Sequence, residues 1–267
     1  MKEEKVRKMV REGYGKIAKA EKCGCGCGSE ISEQIGYSRG ELNSVPEGAD
    51  LSLGCGNPVA LASLKEGETV VDLGAGGGLD CFLAAKKVGA NGRVIGVDMT
   101  PEMLDKARHN CRKGEYRNVE FRLGEIENLP VADNTADVII SNCVINLSPN
   151  KQRVFGEAFR VLKPKGRLMI SDMVLLKVVP EVVKKSVLAY VGCISGAEMK
   201  TDYIEMIKNA GFKEVKVVDE VIFQPELLLS DSNAKALMKE LNLTEKKAEE
   251  LAKSVASIKV SATKPQN

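Results

Sequence analysis

The segment VVDLGAGGG, residues 70–78, constrains the fold of this chain more than any other. A short β-branched run ends in a glycine-rich turn, and a helix is predicted to begin near Leu79. A ligand can therefore approach bare backbone and the amide end of a helix. Asp98 follows Gly78 by 20 residues and ends the next predicted strand, where a carboxylate accepts both hydroxyl groups of a ribose. This order of elements predicts a Rossmann-type nucleotide site.

The details of the turn favour a cofactor with a cationic amino group over a dinucleotide. NAD sites usually read G-x-G-x-x-G, whereas residues 74–78 read GAGGG and Asp72 lies two residues before the first glycine. An acid at the carboxyl end of a strand suits an ammonium group and disfavours a pyrophosphate. The alternative, a purely structural turn between a strand and a helix, is less favoured because Asp98 completes the nucleotide pattern.

Composition excludes several classes of protein. Lys and Arg number 39 against 37 Asp and Glu, and a net charge of +2 is too balanced for an electrostatic nucleic-acid or membrane binder. The N-terminus is charged without an apolar signal core, and no run approaches the roughly 20 apolar residues of a membrane span. We therefore expect a cytoplasmic protein. A monomer is also expected, although composition does not bear on the oligomeric state. The single histidine, His109, argues against histidine-based acid–base catalysis.

The first motif resembles that of class I S-adenosylmethionine-dependent methyltransferases, in which a strand ends with an acid before G-x-G-x-G. Strand-like and helix-like segments alternate after residue 64, which predicts a Rossmann-like, doubly wound α/β fold with a mostly parallel sheet. The resemblance implies seven strands with an antiparallel edge. The predicted strands are Thr69–Leu73, Arg93–Asp98, Val119–Leu123, Asp137–Ser141, Arg167–Asp172, Glu214–Asp219 and Ile258–Ala262. The predicted helices include residues 1–20, Pro101–Arg112, Val154–Leu162 and residues 234–254.

Three regions are expected along the chain. Residues 1–50 form an N-terminal helical and Cys-rich arm, which contains the turn KCGCGCGS. Residues 51–224 form the methyltransferase core, with substrate-covering helices after the fifth strand. Residues 225–267 supply a short C-terminal helix and the last strand.

Further cofactor contacts are expected where the other strands end, because ligands of open α/β sheets bind outside the carboxyl ends of the strands. The family resemblance implies that adenine lies between Met99 and Ile126, with Glu125 near its amino group; for Met99 and Ile126 ordinary core packing is the alternative. The predicted cofactor-binding residues are Asp72, Gly74, Ala75, Gly76, Gly78, Asp98, Met99, Glu125, Ile126 and Asn142.

Cysteine is frequent for a chain of this kind, since eight cysteines in a cytosolic protein suggest chemistry more than a disulfide scaffold. Cys143 directly follows the fourth strand beside the cofactor cleft. Cys55 lies in the glycine-flanked turn LGCGNP, and Cys193 in the helical stretch YVGCISGA. Together the three thiols would form a soft trigonal site. Each alone is equally compatible with a buried structural cysteine.

The phrases GCGNP, SNCVINL and GCISGA beside a methyltransferase core closely resemble the arsenite S-adenosylmethionine methyltransferases of microbes, over residues 30–220. The resemblance implies that Cys55, Cys143 and Cys193 are the catalytic residues and bind As(III). It also implies arsenic detoxification: arsenite and methylarsenicals as substrates, and thioredoxin or another thiol reductant as partner. The long C-terminal extension of larger members is not expected here.

The chemistry of arsenic suits these residues. Trivalent arsenic bound by thiolates keeps a lone pair that attacks a sulfonium methyl group, and no general base is needed. Methylation formally oxidises arsenic, so thiols must return electrons and leave a disulfide. The flexible cluster Cys23, Cys25 and Cys27 is the candidate partner, and we expect one of these to pair with Cys55 after turnover.

Two other functions fit parts of the pattern. A methyltransferase for a small organic acceptor, such as a quinone precursor, would share the cofactor site but bind its substrate without thiols. A cysteine-rich metalloid-binding sensor would keep the thiols with a vestigial fold. The intact set of Asp72, the glycine turn and Asp98 counts against the sensor.

Overall fold

The computed structural model describes residues 3–20, 27–180, 183, 196–222 and 244–266. The strands are β1 Thr69–Leu73, β2 Arg93–Asp98, β3 Val119–Leu123, β4 Ala136–Asn142, β5 Leu162–Leu175, β6 Lys213–Ile222 and β7 Val255–Thr263. The helices are α1 Glu3–Lys19, α2 Cys27–Gln34, α3 Arg39–Asn43, α4 Pro58–Leu61, α5 Leu79–Val88, α6 Pro101–Lys113, α7 Lys151–Val161, α8 Lys200–Asn209 and α9 Glu245–Ala252, with a 3-10 turn at Ile145–Leu147.

The strands form one seven-stranded sheet in the order β3-β2-β1-β4-β5-β7-β6. Strands β1 to β5 are parallel, whereas β7 runs antiparallel to both β5 and β6. The predicted mostly parallel α/β sheet with an antiparallel edge is therefore confirmed. The chain reverses its direction of winding between β1 and β4, which opens a crevice at the carboxyl ends of these strands.

Burial on both faces explains why the central strands are so apolar. Val70 and Val71 of β1 and Ile139 and Ile140 of β4 are fully buried, as expected for parallel strands covered by helices on each side. One apolar cluster packs under α7 and α8, and another under α5 and α6. A third surrounds Cys143 at the carboxyl end of the sheet.

Strand β5 is longer than the predicted Arg167–Asp172, and the predicted helix Val154–Leu162 is shifted. Helix α7 begins at Lys151 because the Asn150 side chain accepts the Arg153 N–H (3.1 Å) as a cap. Leu162 already belongs to β5, opposite Ala136, and the register then jumps to Arg167 opposite Val138. Residues 163–166 therefore bulge from the strand. Pairing with β7 continues to Leu175, and a local sequence pattern cannot reveal that partner.

Three further sequence expectations have different outcomes. The predicted helix 1–20 is confirmed as α1, which packs on α6 with a Lys19–Glu102 ion pair of 2.8 Å. Of the predicted helix 234–254, residues 234–243 lie outside the described residues, and the rest contains α9. The division at residues 50 and 224 stays a prediction. No helix in the described ranges has the length and apolar character that crossing a membrane demands.

Candidate active site

A cleft of about 1050 Å³, counting its open mouth, lies at the carboxyl ends of β1, β2 and β4. Helix α1 closes one side with Arg7, Val10 and Tyr14, which contribute to the lining. Of the predicted cofactor residues, those that line it are Asp72, Gly74, Ala75, Gly76, Asp98, Met99, Ile126 and Asn142. The topology therefore brings most of the predicted set together at one edge of the sheet.

The glycine turn is anchored to β2 and leaves its backbone open to the cleft. The N–H groups of Gly74 and Ala75 both donate to the Val97 carbonyl, at 2.8 and 3.0 Å. Gly76 has a φ of +51°, and a Cβ there would meet nothing within 4 Å. Gly78 is not among the lining residues: it precedes α5 with a φ of +97°, and a Cβ there would lie 2.6 Å from the Phe82 ring. Its neighbour Gly77, absent from the predicted set, lines the cleft instead.

Asp98 holds the turn while it faces the cleft. Its Oδ2 accepts the Gly76 N–H at 3.0 Å, and its Oδ1 accepts the Thr100 N–H at 2.8 Å. Burial raises the pKa of this carboxyl, and the two backbone hydrogen bonds oppose that rise. The side chain lines the cleft, and a carboxylate offers about four lone-pair sites in all. The geometry therefore fits a carboxylate that accepts the hydroxyl groups of a ribose.

Two further carboxyls make the cleft acidic. Burial, and next the charge of Asp80, raise the pKa of Asp72 well above its usual value. Burial likewise raises the pKa of Asp80 to about 6. The Cys81 thiol donates to Asp72 Oδ2 at 3.1 Å, and burial raises the pKa of that thiol, so it remains a neutral donor. Carboxyls that are costly to ionise when alone are stabilised by a cation, which suits a cationic cofactor.

The structure places Glu127, and not Glu125, against the cleft. Glu125 lies at the rim, where it pairs with Arg7 Nε at 3.3 Å, and it is not among the lining residues. Glu127 lines the cleft with its side chain almost fully buried, and it accepts the Ser148 hydroxyl at 2.7 Å. Arg7 Nε is 3.4 Å from it. The two acids are two residues apart, and the turn at residues 124–128 decides which faces inward.

The predicted thiol site begins at Cys143, which lines the cleft one residue beyond β4. Its φ is +55°, a left-handed conformation that is uncommon for a residue other than glycine. Its N–H donates to the Ser171 carbonyl at 2.8 Å, which fixes that conformation against β5. Cys55 comes from the loop before α4, and its Cα lies 5.9 Å from that of Cys143. Two of the three predicted arsenic ligands are therefore in contact.

Cys55 and Cys143 are joined by a disulfide, which differs from the predicted pairing of Cys55 with the N-terminal cluster. The loop before α4 crosses the end of β4, and this crossing brings the two cysteines together. Cys23 and Cys25 lie outside the described residues, as does the third predicted ligand, Cys193. Cys27 is the first residue of α2.

Asp172 is a buried acid of the site that sequence reasoning did not single out. One of its carboxyl oxygens lies within 4.8 Å of both sulfur atoms. It accepts hydrogen bonds from Asn146 Nδ2 (2.9 Å), the Tyr203 hydroxyl (3.0 Å) and the Met173 N–H (2.9 Å). Burial raises its pKa to about 6. The only signal in the sequence was an acid at the carboxyl end of a strand, in MISDM.

The strand order and this acidic cleft define the class of the protein as a Rossmann-like methyltransferase. The family model of a methyltransferase domain matches residues 64–211, more than half of the chain. The chain is similar to an arsenite methyltransferase of Halobacterium salinarum, with 50% identity over 80% of this chain and 59% of the relative. It is also similar to the human arsenite methyltransferase, with 32% identity over 82% of this chain and 61% of the relative.

Among solved structures, an arsenic(III) S-adenosylmethionine methyltransferase from Chlamydomonas reinhardtii matches with a TM-score of 0.65 and 31% identity, over 96% of this chain and 74% of that chain. The chain therefore belongs to the arsenite S-adenosylmethionine methyltransferase family. This membership supports S-adenosylmethionine as the methyl donor. The chain spans about three fifths of the length of the Halobacterium and human relatives.

Proposed function

We propose that this protein methylates trivalent arsenic held by cysteine thiolates, with S-adenosylmethionine as donor, and so detoxifies arsenite. The observation that carries the proposal is the position of Cys143, which lines the cofactor cleft and contacts Cys55 at the carboxyl end of the sheet. A thiol pair at this place presents a soft substrate to the methyl end of the cleft. The names of the relatives agree with this substrate.

The acidic lining supports a cationic cofactor. S-adenosylmethionine supplies a sulfonium methyl group and carries an ammonium group. In this proposal Asp98 accepts its ribose hydroxyls, and the pair Asp72 and Asp80 balances its positive charge. Met99 and Ile126 offer apolar surface for adenine. The proposed cofactor set therefore keeps these residues and adds Gly77 and Glu127.

The thiolates hold the arsenic while its lone pair is aimed at the methyl group. Capture of As(III) requires Cys55 and Cys143 as thiols, so their disulfide must first be reduced. In transfer the sulfur–methyl bond breaks, an arsenic–methyl bond forms, and arsenic becomes formally pentavalent. Two thiolates then return two electrons to arsenic and form the Cys55–Cys143 disulfide. A dithiol reductant, which we propose to be thioredoxin or a comparable thiol, reopens it.

Cys193 is the proposed third ligand, on the strength of the sequence resemblance. Val183, just before residues 184–195, and Ala197, two residues after them, both pack in the apolar cluster that contains Cys143. The described part of the site therefore has two thiols in apolar surroundings, Cys55 and Cys143. Methylarsenicals as further substrates, the monomeric state and the cytoplasmic location stay predictions.

Transfer of isotope-labelled methyl from S-adenosylmethionine to arsenite, with the arsenic species separated afterwards, tests this function. Reduced wild-type protein should give labelled methylarsenicals, and Cys143→Ser should give none, because a hydroxyl is a harder and far less acidic ligand. Cys111→Ser is the matched control, since Cys111 is a free, partly buried thiol that hydrogen-bonds the Tyr116 carbonyl (3.4 Å) and is not among the lining residues. Undiminished turnover by Cys143→Ser, or transfer to a quinone precursor but not to arsenite, would refute the proposal.

A further inference from the structure

We propose that Asn142 is a positioning residue, which holds the Cys55 loop in place and ties it to the acidic wall of the cofactor cleft. It ends β4 and directly precedes Cys143. The sequence indicated it only as a cofactor contact. The inference rests on the proposed function where it concerns arsenic, but the geometry that it describes does not depend on the substrate.

On one side, the Asn142 amide makes two hydrogen bonds to the loop that carries Cys55. Its Oδ1 accepts the Cys55 N–H at 3.0 Å, and its Nδ2 donates to the Gly56 carbonyl at 2.7 Å. The two bonds bracket the peptide unit that follows Cys55, so they fix the direction in which this thiol points. Gly54 allows the close approach, because a Cβ there would lie 2.6 Å from Asn142 Nδ2.

On the other side, the same amide group reaches the acids of the cleft. Asn142 Nδ2 lies 2.9 Å from the Tyr37 hydroxyl and 3.2 Å from Asp80 Oδ2. Tyr37 donates its own proton to Asp80 Oδ1 at 2.7 Å, so it accepts from Asn142. Asp80 and Tyr37 both line the cofactor cleft. One side chain therefore connects the wall of the cleft to the loop of a proposed arsenic ligand.

The contacts also require an amide at this position. The Cys55 N–H can only donate and the Gly56 carbonyl can only accept, which fixes the orientation of the amide and makes its oxygen and nitrogen non-interchangeable. A carboxylate would keep the bond to the Cys55 N–H. Its second oxygen would lie where Nδ2 lies now. The Gly56 carbonyl oxygen and the Asp80 carboxylate would both repel that oxygen.

Asn142→Asp and Asn142→Ala test the proposal, and Asn118→Asp is the matched control. Asn118 is a partly buried amide whose Nδ2 donates to the Gly89 and Ala85 carbonyls, at 2.9 and 3.3 Å, away from the cleft. The first measurement uses no arsenic. It is the equilibrium constant of the reaction in which reduced protein and oxidised glutathione give the Cys55–Cys143 disulfide and two reduced glutathiones. The second is the affinity of the reduced protein for arsenite, and the third its affinity for S-adenosylmethionine.

If Asn142 positions the loop, both Asn142 variants lower the equilibrium constant for the Cys55–Cys143 disulfide by roughly 10-fold or more, because the two thiols lose effective concentration. Arsenite affinity falls by a similar factor, and S-adenosylmethionine affinity is measured separately because Asn142 also contacts Asp80 in the wall of the cofactor cleft. Asn118→Asp should leave all three close to wild type, even if its melting temperature falls. Asn142→Ala adds no charge, so it still tests the proposal if Asn142→Asp does not fold.

A disulfide equilibrium and an arsenite affinity within about 2-fold of wild type in a folded Asn142 variant would overturn the proposal. The failure of the proposed function gives a different result. If wild-type protein does not methylate arsenite but the Asn142 variants shift the disulfide equilibrium, the positioning role stands and the substrate assignment falls.

Discussion

Asp98 serves the fold and the ligand with the same two oxygen atoms. It accepts hydrogen bonds from the backbone of the glycine turn and of Thr100, and it also lines the cleft. Asp72 and Asp80 accept hydrogen bonds from neutral side chains. Asp72 accepts from the Cys81 thiol, and Asp80 accepts from the Tyr37 hydroxyl and the Asn142 amide. At the scale of single residues, the described lining holds four buried acids, and Arg7, which faces Glu127, is the one Lys or Arg among those lining residues.

The first prediction concerns Asp98→Ala. We expect S-adenosylmethionine binding to weaken by about 1.5–3 kcal/mol, the cost of losing hydrogen bonds to a charged group, or roughly 10- to 150-fold. Calorimetry gives the affinity directly. Asp133→Ala is the control, because that carboxylate pairs with Arg160 at 2.6 Å and is absent from the cleft lining. Equal affinities in the wild type and Asp98→Ala would remove the ribose assignment.

The secondary structure of the core could be read from the sequence because its signals are local. Strands β1, β2 and β3 have the predicted bounds. β1 and β2 are buried runs rich in β-branched residues that end before a glycine or at an acid, whereas β3 has only Phe121 buried and ends before Gly124. Tyr37 could not be predicted as a site residue: its partner Asp80 lies 43 positions later, and long-range packing brings them together. Glu127 was missed for a similar reason, because a turn decides which of two nearby acids faces inward.

Helix α1 is the element whose role was least visible in the sequence. It was expected as part of an N-terminal arm, yet Arg7, Val10 and Tyr14 line the cofactor cleft. Arg7 joins it to Glu125 and Glu127 at 3.3 and 3.4 Å. The helix therefore covers one side of the cleft. It is held there by the Arg7–Glu127 ion pair, which is largely shielded from water.

The second prediction is that Arg7→Ala loosens this cover. Glu127 would remain buried without its cation, and we expect S-adenosylmethionine to dissociate roughly 10-fold faster, because truncating one partner of a buried charge pair acts mainly on dissociation. Stopped-flow displacement measures the rate. Arg11→Ala is the control on the same helix, since Arg11 is exposed. If both variants release the cofactor at the wild-type rate, α1 does not act as a cover.

At the scale of the whole molecule, charge is balanced overall and segregated locally. The net charge is +2, yet three acids that face no cation of the described lining, Asp72, Asp80 and Asp98, line one cleft beside the Arg7–Glu127 pair. In the free cleft the buried carboxylates repel one another, so their ionisation costs free energy. A bound cation lowers that cost.

The third prediction is a pH dependence of cofactor binding. Burial holds the pKa of Asp80 at about 6 in the free protein, and a bound cation favours the ionised form, so binding lowers this pKa. Affinity for S-adenosylmethionine should therefore rise as the pH increases through about 6, and binding near that pH should release protons. Calorimetry in buffers of different ionisation enthalpy counts these protons. Affinity that is constant or higher in acid would contradict the acidic-cleft account.

We propose that arsenic is methylated while it is bound to thiolates at the cofactor cleft. A single turnover of fully reduced protein with arsenite and labelled S-adenosylmethionine, without external reductant, tests it most directly. We predict one labelled methylarsenic per chain at most, with an equal amount of Cys55–Cys143 disulfide in non-reducing peptide mapping. Methylarsenic formed with both cysteines still reduced, or disulfide formed without any transfer of methyl to arsenic, would contradict the account.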